Sequence, residues 1–288
     1  MHNGFVRNVV LLGAFGGAYY FILQSRVSQA AALVGALVLA IGMCVAVSLG
    51  WKAATSISKR LQLERSLGGA PFVDGALAAA AGTIRPVDGT LLAPFTARPC
   101  VACEYRIEGS QSYQGPFTTS SGGVALVPSV IESQSGNARL LAWPGLGNFA
   151  ASACNEEQHR ENARAFVAAT TFELGPLSGG FSKLDAPVAD AEGRLKIDVA
   201  TGNDATPDGK RLTEKVVPAG ARVCAVGIWS AARDGIVATQ GSAVGVELFP
   251  GTPDTLLEGL TRRAIGSAAG AFAVAALVHA IAWIAFKP

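Results

Sequence analysis

Two cysteines at a spacing that can support chemistry, Cys100 and Cys103, lie in the segment "APFTARPCVACEYRIEG". Such a C-x-x-C pair can hold a metal ion, exchange a disulfide, or simply belong to a strand. Apolar and polar residues alternate from Val101 to Ile107, which predicts a strand with Cys103 on its inner face. Because residues i and i+3 of a strand point to opposite faces, we expect Cys100 to face solvent and the two thiols not to converge.

The other cysteines do not complete a metal or redox site in the sequence. A zinc site usually needs four ligands, and the remaining thiols are Cys44, Cys154 and Cys224, of which Cys44 lies in an apolar stretch. A thioredoxin-like pair would open a helix, which "EYRIEG" does not resemble. We therefore expect a structural role for the C-x-x-C, with no stoichiometric zinc and no bound cofactor.

Two histidines are the other candidates for chemistry. Glu156 precedes His159 by three residues. On a helix the two would share a face as half of a metal site, as a base with its orienting partner, or as an ordinary solvated surface. His279 lies in an apolar stretch, where a histidine is either functional or hydrogen-bonded within a helix pair. No nucleophile elbow, phosphate-binding loop or zinc-protease motif accompanies them, so we assign no catalytic, cofactor-binding or metal-binding residue.

Three apolar stretches predict transmembrane helices. Half of the residues are hydrophobic (50%) and only 15% are charged. The stretches cover about residues 5–23, 30–50 and 264–286, and a bilayer core needs about 20 apolar helical residues. For the first stretch, a signal peptide cleaved at "SQA", Ser28–Ala30, is the alternative. Residues 1–50 are thus predicted to form a transmembrane hairpin, and residues 51–66 a juxtamembrane helix.

The distribution of basic residues predicts the orientation of these spans. Seven lysines and arginines flank the spans on the side of the central segment, whereas only Arg26 and Lys287 lie on the other side. Basic residues favour the cytoplasmic side, so the N-terminus and the central segment are expected in the cytoplasm.

The central segment, residues 67–261, differs from its flanks in charge and pattern. It carries 14 basic and 20 acidic residues, which disfavours nucleic-acid binding. Short apolar or alternating runs separated by glycine, proline and aspartate predict one β-rich domain, barrel-like or sandwich-like. We expect a helix over Cys154–Phe166. The predicted strands are Gly82–Arg85, Val101–Ile107, Val124–Ile131, Arg139–Leu141, Phe166–Phe172, Leu195–Val199, Arg222–Ser230, Ile236–Thr239 and Val244–Phe249.

The inner surface of this domain can also be predicted. The run "VCAVGIW" is apolar on both of its faces, so its strand should be central or covered on both sides. Strands must bury their apolar faces, which predicts a single core. Its members are expected to include Val101, Cys103, Tyr105, Val223, Ala225 and Trp229.

Two segments resemble the ends of a known domain. "FVDGALAAAAGTIRPVDGTLLAPFTARPCVACEYRIE", Phe72–Glu108, resembles the opening of the GIDE domain, and "VVPAGARVCAVGIWSAARDGIV", Val216–Val237, resembles its closing pattern. GIDE is the membrane-flanked, β-rich domain of the mitochondrial RING-type E3 ubiquitin ligase, and bacterial chains carry it between membrane spans. The resemblance implies such a fold here, in a bacterial-type, multi-pass protein of the inner membrane.

The sequence departs from the ubiquitin ligase in its metal ligands. A RING finger needs eight cysteine or histidine ligands in two interleaved zinc sites. This chain has five cysteines and three histidines, and Cys44 and His279 lie in predicted spans. A RING cannot be assembled from them, so we do not expect ubiquitin-transfer activity.

These observations favour a non-catalytic role. The chain is expected to act as a membrane-tethered interaction or assembly module, in contact with membrane lipids and with another membrane protein or a second copy of itself. Ubiquitin-ligase-like activity inherited with the family and a small transporter or channel subunit are the alternatives. A transporter or channel needs polar residues along its pathway, and His279 is the only strongly polar residue deep in the third predicted span.

Overall fold

The computed structural model describes residues 2–25, 27–110, 117–174, 190, 193–200, 206–238 and 246–285. The chain divides into two compact units, one formed by Met1–Leu61 with Asp254–Pro288 and the other by Gln62–Pro253. The described helices are α1 (His2–Leu23), α2 (Gln29–Leu67), α3 (Glu157–Ala169) and α4 (Asp254–Ala285).

Helices α1, α2 and α4 pack together through small residues in the first unit. Leu23, Ala36 and Val278 are buried in one cluster between them. A Cβ placed on Gly42 would lie 2.5 Å from Val278, so α2 and α4 approach more closely than a larger residue would permit. Gly270 faces Leu49 of α2.

Two helices are long and apolar enough to cross a membrane, Gln29–Leu67 and Asp254–Ile284. The predicted juxtamembrane helix is the continuation of the first of these, since α2 runs without a break to Leu67. The apolar part of α1, Val10–Leu23, is shorter. A third spanning helix and the orientation of the spans therefore stay predictions.

The second unit is built from strands. In chain order they are β1 (Leu77–Pro86), β2 (Leu91–Leu92), β3 (Pro99–Ser110), β4 (Phe117–Leu126), β5 (Ser129–Ser133), β6 (Gly136–Leu140), β7 (Pro144–Gly145), β8 (Ser152–Ala153), β9 (Glu173–Leu174), β10 (Leu195–Ala200), β11 (Arg211–Pro218), β12 (Arg222–Ser230), β13 (Gly235–Val237) and β14 (Val246–Pro250).

Five of these strands close into a barrel. Their order is β1–β5–β6–β13–β12, and β1 pairs with β12 to complete the ring, while β14 and β7 extend the sheet from β12. Gly82 of β1 pairs with Val223 of β12 and with Ser133 of β5, and a Cβ there would lie 1.8 Å from the carbonyl oxygen of Glu132. Glycine is therefore needed where β1 meets both neighbours.

A second sheet has the order β8–β11–β3–β4–β10–β9, with β2 paired to β3. Strands β3 and β11 bury Tyr105, Ile107 and Leu212 on one face, against Phe95 and against Ala163 of α3. The other face of this sheet contributes apolar residues to the barrel core at one end and carries charged side chains at the other. The two faces therefore provide two separate environments.

Most predicted strands are found, with shifted ends. The strand Arg222–Ser230 is confirmed: it is central, since it pairs with β1, β13 and β14, and consecutive residues along it are buried. The predicted run Val124–Ile131 is two strands, β4 and β5. Thr239, Val244 and Gly245, at the ends of two predicted strands, lie outside the described residues.

Two secondary-structure predictions are wrong, and one long strand was missed. The predicted strand Phe166–Phe172 is largely helical, since α3 continues to Ala169, and Cys154 lies before that helix instead of within it. Strand β11 was not predicted. Its inward-facing residues include a glutamate, Glu214, which interrupts the apolar alternation expected of a half-buried strand.

The predicted core is in fact divided among clusters. Val101, Val223, Ala225 and Trp229 share the barrel core, as expected. Cys103 and Tyr105 are buried as well, but each lies in a separate cluster on the far face of β3. Because β3 has apolar cover on both of its faces, its two sets of residues cannot meet in one core.

Candidate functional site

A bulge in β3 determines where the C-x-x-C thiols point. Ala102 pairs with Val217 of β11, and Cys100 pairs with the next residue, Pro218, so Val101 is an extra residue in this strand. Such a bulge re-aims the side chains on one side of it. Val101 and Ala102, although consecutive, both contribute to the barrel core.

Cys100 and Cys103 consequently lie on the same face. Both are fully buried, in a small cluster with Ala93 and the half-buried side chains of Leu91, Ala125 and Val216. The prediction that Cys100 faces solvent is wrong, because the argument that residues i and i+3 diverge holds only for a strand without a bulge. The two cysteines of the motif do converge.

The thiol of Cys103 is held in its neutral form. A hydrogen bond with the Cys100 thiol and burial both raise the pKa of Cys103 well above its usual value. The negative charges of Glu214 and Asp198 act in the same direction. All five cysteines are free of disulfides, and Cys100, Cys103, Cys154 and Cys224 are buried.

A buried carboxylate fixes the turn that covers this region. Glu214 is 1% exposed and accepts hydrogen bonds from the backbone N–H of Phe95 (2.9 Å), the backbone N–H of Thr96 (3.3 Å) and the Thr96 hydroxyl (2.6 Å). Ala97, in the same turn, has a φ of +53°. These bonds hold the 93–98 turn over the sheet, and without them an inward-facing carboxylate would be costly.

Tyr105 forms a second buried polar contact next to the thiols. Its hydroxyl donates a 2.6 Å hydrogen bond to Asp198 of β10. Burial, together with the neighbouring carboxylate, raises the pKa of Tyr105. The ring lies between Phe95 and Phe166, with centroid distances of 5.4 and 5.1 Å and near-perpendicular planes. The arrangement is structural, since the phenol is kept neutral and enclosed by aromatic rings.

The opposite face of the second sheet carries a charged cleft of about 210 Å³. Arg106 donates two hydrogen bonds to Glu104, at 2.6 and 2.9 Å, and Arg211 lies 3.9 Å from Glu108. Lys215 donates to the carbonyl of Leu146 at 3.0 Å. The cleft is lined by Glu104, Arg106, Glu108, Ala151, Arg211, Thr213, Glu214 and Lys215.

The predicted pair Glu156–His159 is formed, at the start of α3. His159 Nε2 lies 3.7 Å from Glu156 Oε2, although Glu156 is the residue that precedes the helix instead of a helical residue. Among the residues that the structure describes, no group of three or more histidine, cysteine, aspartate or glutamate side chains could hold a metal ion. Within the described part of the chain, this pair therefore lacks the further ligand that a metal site would need.

His279 makes a hydrogen bond within its own helix. Its Nδ1 lies 2.8 Å from the carbonyl oxygen of Ala275, one turn earlier in α4, and its side chain is exposed. This bond lies within α4 and is not the bond between two helices that the alternative required. The local bond satisfies one of the two ring nitrogens.

Comparison with known proteins gives no relative for this chain. No protein-family model, curated protein or solved structure matches it. Any function must therefore be argued from the features described above.

Two features of the site were not predicted from the sequence, the buried Glu214 and the convergence of the thiols. A glutamate between apolar residues at positions 212 and 216 was a usable signal, because inward-facing acids need buried donors. The bulge has a weaker signal in Pro218, which cannot donate a hydrogen bond to the neighbouring strand and is found at bulges.

Proposed function

We propose that the chain is a non-catalytic, membrane-tethered interaction module of the GIDE type. The observation that carries this proposal is the placement of the β-rich unit in the sequence. It follows one helix that is long and apolar enough to span a membrane and precedes another. A domain tethered at both of its ends is restricted to the membrane surface, where partners in the same membrane meet it at a high effective concentration.

The proposal places this domain on the cytoplasmic side of a bacterial inner membrane. The excess of lysine and arginine beside the spans supports that orientation. The resemblance of Phe72–Glu108 and Val216–Val237 to the ends of the GIDE domain supports the family. The buried positions of Cys100, Cys103 and Cys154 fit a reducing compartment, where thiols persist without disulfides.

We assign partner contact to the charged cleft of the second sheet. Glu104, Arg106 and Glu108 alternate in sign along β3, beside Arg211 and Lys215 of β11, and such a surface favours a partner with complementary charges. Arg211 is the residue chosen to test this contact, since it lines the cleft and 53% of its side chain is exposed. The partner is another membrane protein or a second copy of this chain.

The test is crosslinking in intact membranes, followed by mass spectrometry of the proteins that co-purify. An Arg211→Ala variant is expected to lose a crosslinked partner that the unaltered chain retains. The matched control is Arg85→Ala, because Arg85 is also an exposed strand arginine paired with a glutamate, Glu132, on a neighbouring strand. A pattern of crosslinks identical in all three proteins would reject the cleft, and the absence of any specific crosslink would reject the interaction module.

A further inference from the structure

The convergence of Cys100 and Cys103 has a consequence beyond packing. A bulge interrupts the ladder of hydrogen bonds, and bulges are commonly placed where a side chain must be re-aimed. Here the bulge at Val101 turns Cys100 to the face of Cys103, and both side chains pack in the same small cluster. Two sulfur atoms are thereby presented to one small volume.

The surroundings of the two sulfur atoms select a particular class of ligand. The cluster around them contains Ala93, Leu91, Ala125 and Val216, none of which offers a polar side chain. Glu214, the nearby carboxylate, is already bonded to three donors of the 93–98 turn. Zinc usually takes four ligands, whereas soft monovalent ions bind thiolates preferentially and accept two of them in a linear arrangement.

We propose that Cys100 and Cys103 form a two-thiolate site for one soft monovalent metal ion of the Cu(I) class. Each thiol gives up its proton to solvent as its sulfur binds the ion, so one ion enters and two protons leave, with no change in oxidation state. The expectation of no stoichiometric zinc is unaffected, because a tetrahedral site would still lack two ligands.

The cover of the site is small enough to open. It consists of β2, which is only two residues long, and the turn that follows it. Leu92 of β2 is 67% exposed, and β2 pairs only with β3 among the strands described. Lifting β2 and the turn breaks the hydrogen bonds between Glu214 and the turn and exposes Phe95, yet such local opening costs less than global unfolding. An ion can thus reach the sulfur atoms when β2 and the turn lift, with the barrel intact.

The binding test uses the full-length chain, purified in detergent and reduced under anaerobic conditions. Cu(I) is titrated in competition with the chromogenic chelator bicinchoninate, and we expect about one tightly bound equivalent. Cys100→Ser and Cys103→Ser should each lose that equivalent. Cys154→Ser and Cys224→Ser are the matched controls, because they remove equally buried thiols from elsewhere in the same unit and should retain it.

A second measurement guards against variants that simply misfold. Ag(I), which does not change oxidation state, should raise the unfolding temperature of the unaltered chain and of Cys154→Ser, but not that of Cys100→Ser or Cys103→Ser. Circular dichroism before addition of the ion establishes which variants are folded, and the alanine variant at the same position replaces any serine variant that is not. X-ray absorption of the Cu(I) form should show two sulfur neighbours.

Several results would overturn the proposal. These are the absence of a bound equivalent in the unaltered chain, equal binding by the Cys100 and Cys103 variants, and a nitrogen or oxygen ligand in the X-ray absorption spectrum. None of them bears on partner crosslinking, so the ion site and the proposed function fail or stand separately.

Discussion

At the scale of single residues, Gly123 shows how a missing side chain makes room for the polar contact beneath α3. It lies on β4 opposite Tyr105, and a Cβ there would lie 2.5 Å from the tyrosine ring, 2.6 Å from Asp198 Oδ1 and 2.6 Å from the carbonyl of Ile197. Two of these neighbours form the Tyr105–Asp198 hydrogen bond, and the third is backbone. None of the three can move away without losing a buried contact.

Gly123→Ala should therefore lower the free energy of unfolding by about 1–3 kcal/mol, as overpacking usually does. The measurement is denaturant unfolding followed by circular dichroism. Gly109→Ala is the control, because the nearest atom to a Cβ at Gly109 is 3.9 Å away on the flexible side chain of Lys210. Equal stabilities for the two variants would mean that the tyrosine and aspartate adjust freely.

Cys154 makes a prediction about alkaline pH. Burial and the charge of Glu214 raise the pKa of this thiol to about 12 in the folded protein. In the unfolded chain a thiol ionises near pH 8.5, so between these values the folded state binds one more proton. Its contribution to stability is complete below pH 8.5 and is lost as the pH rises towards 12.

Cys154→Ala should accordingly make the free energy of unfolding less dependent on pH over this window. The slope contributed by one proton is about 1.4 kcal/mol per pH unit. Denaturant unfolding of both proteins at a series of pH values gives the comparison. Identical slopes would show that Cys154 ionises normally in the folded chain.

At the scale of elements, β12 organises the barrel, and Trp229 is its largest contribution to the core. The indole is 6% exposed and stacks on Phe72 with ring centroids 4.4 Å apart. Trp229→Ala should lower the free energy of unfolding by about 3–5 kcal/mol, since it leaves a large cavity among apolar neighbours. Trp229→Phe keeps a ring against Phe72 and should cost less. A small loss from the alanine variant would remove Trp229 from the core.

The 93–98 turn is the second element whose behaviour can be predicted. Glu214→Gln removes the negative charge that accepts hydrogen bonds from Phe95 and Thr96. Hydrogen bonds to charged groups contribute about 1.5–3 kcal/mol each, so the turn should open more often. Maleimide labelling of Cys100 and Cys103, detected by mass spectrometry, should become faster.

The control for this variant is Glu108→Gln, on the opposite face of the same sheet, where the nearest cation, Arg211, is 3.9 Å away. It should leave the labelling rate unchanged. If Glu214→Gln labels no faster than the unaltered chain, the turn is held by contacts other than these hydrogen bonds.

At the scale of the whole molecule, the orientation in the membrane can be tested with introduced thiols. Four of the five native cysteines are buried, so the unaltered chain should label slowly with a membrane-impermeant maleimide. Val87→Cys places a thiol at an exposed position of the β-rich unit, and Ser28→Cys places one in the exposed connection between α1 and α2.

With a cytoplasmic β-rich unit, Val87→Cys should label in inverted vesicles and not in intact cells. Ser28→Cys should show the reverse pattern. Labelling of Val87→Cys in intact cells would invert the orientation and place the thiols in an oxidising compartment. Labelling of both positions from the same side would remove α2 as a membrane span.

The sequence alone determined the features that depend on local pattern. Uniform apolar stretches of sufficient length, about residues 30–50 and 264–286, identified the apolar parts of the helices Gln29–Leu67 and Asp254–Ile284. Alternation and turn residues identified β1, β10 and β12. In such strands the pattern of apolar and polar residues reflects which faces are buried. The exclusion of a second metal-ligand pair beside the C-x-x-C also followed from residue counts.

The tertiary structure decided what depends on register and on partners distant in the sequence. The pairing of β3 with β11 introduces the bulge at Val101. The sequence of β3 alone does not indicate which of its residues is left without a partner on β11. Glu214 is acceptable inside only because a turn about 120 residues earlier supplies its donors. The meeting of the two thiols is thus a property of long-range strand register, which hydrogen bonds and packing across the sheet fix and local sequence does not.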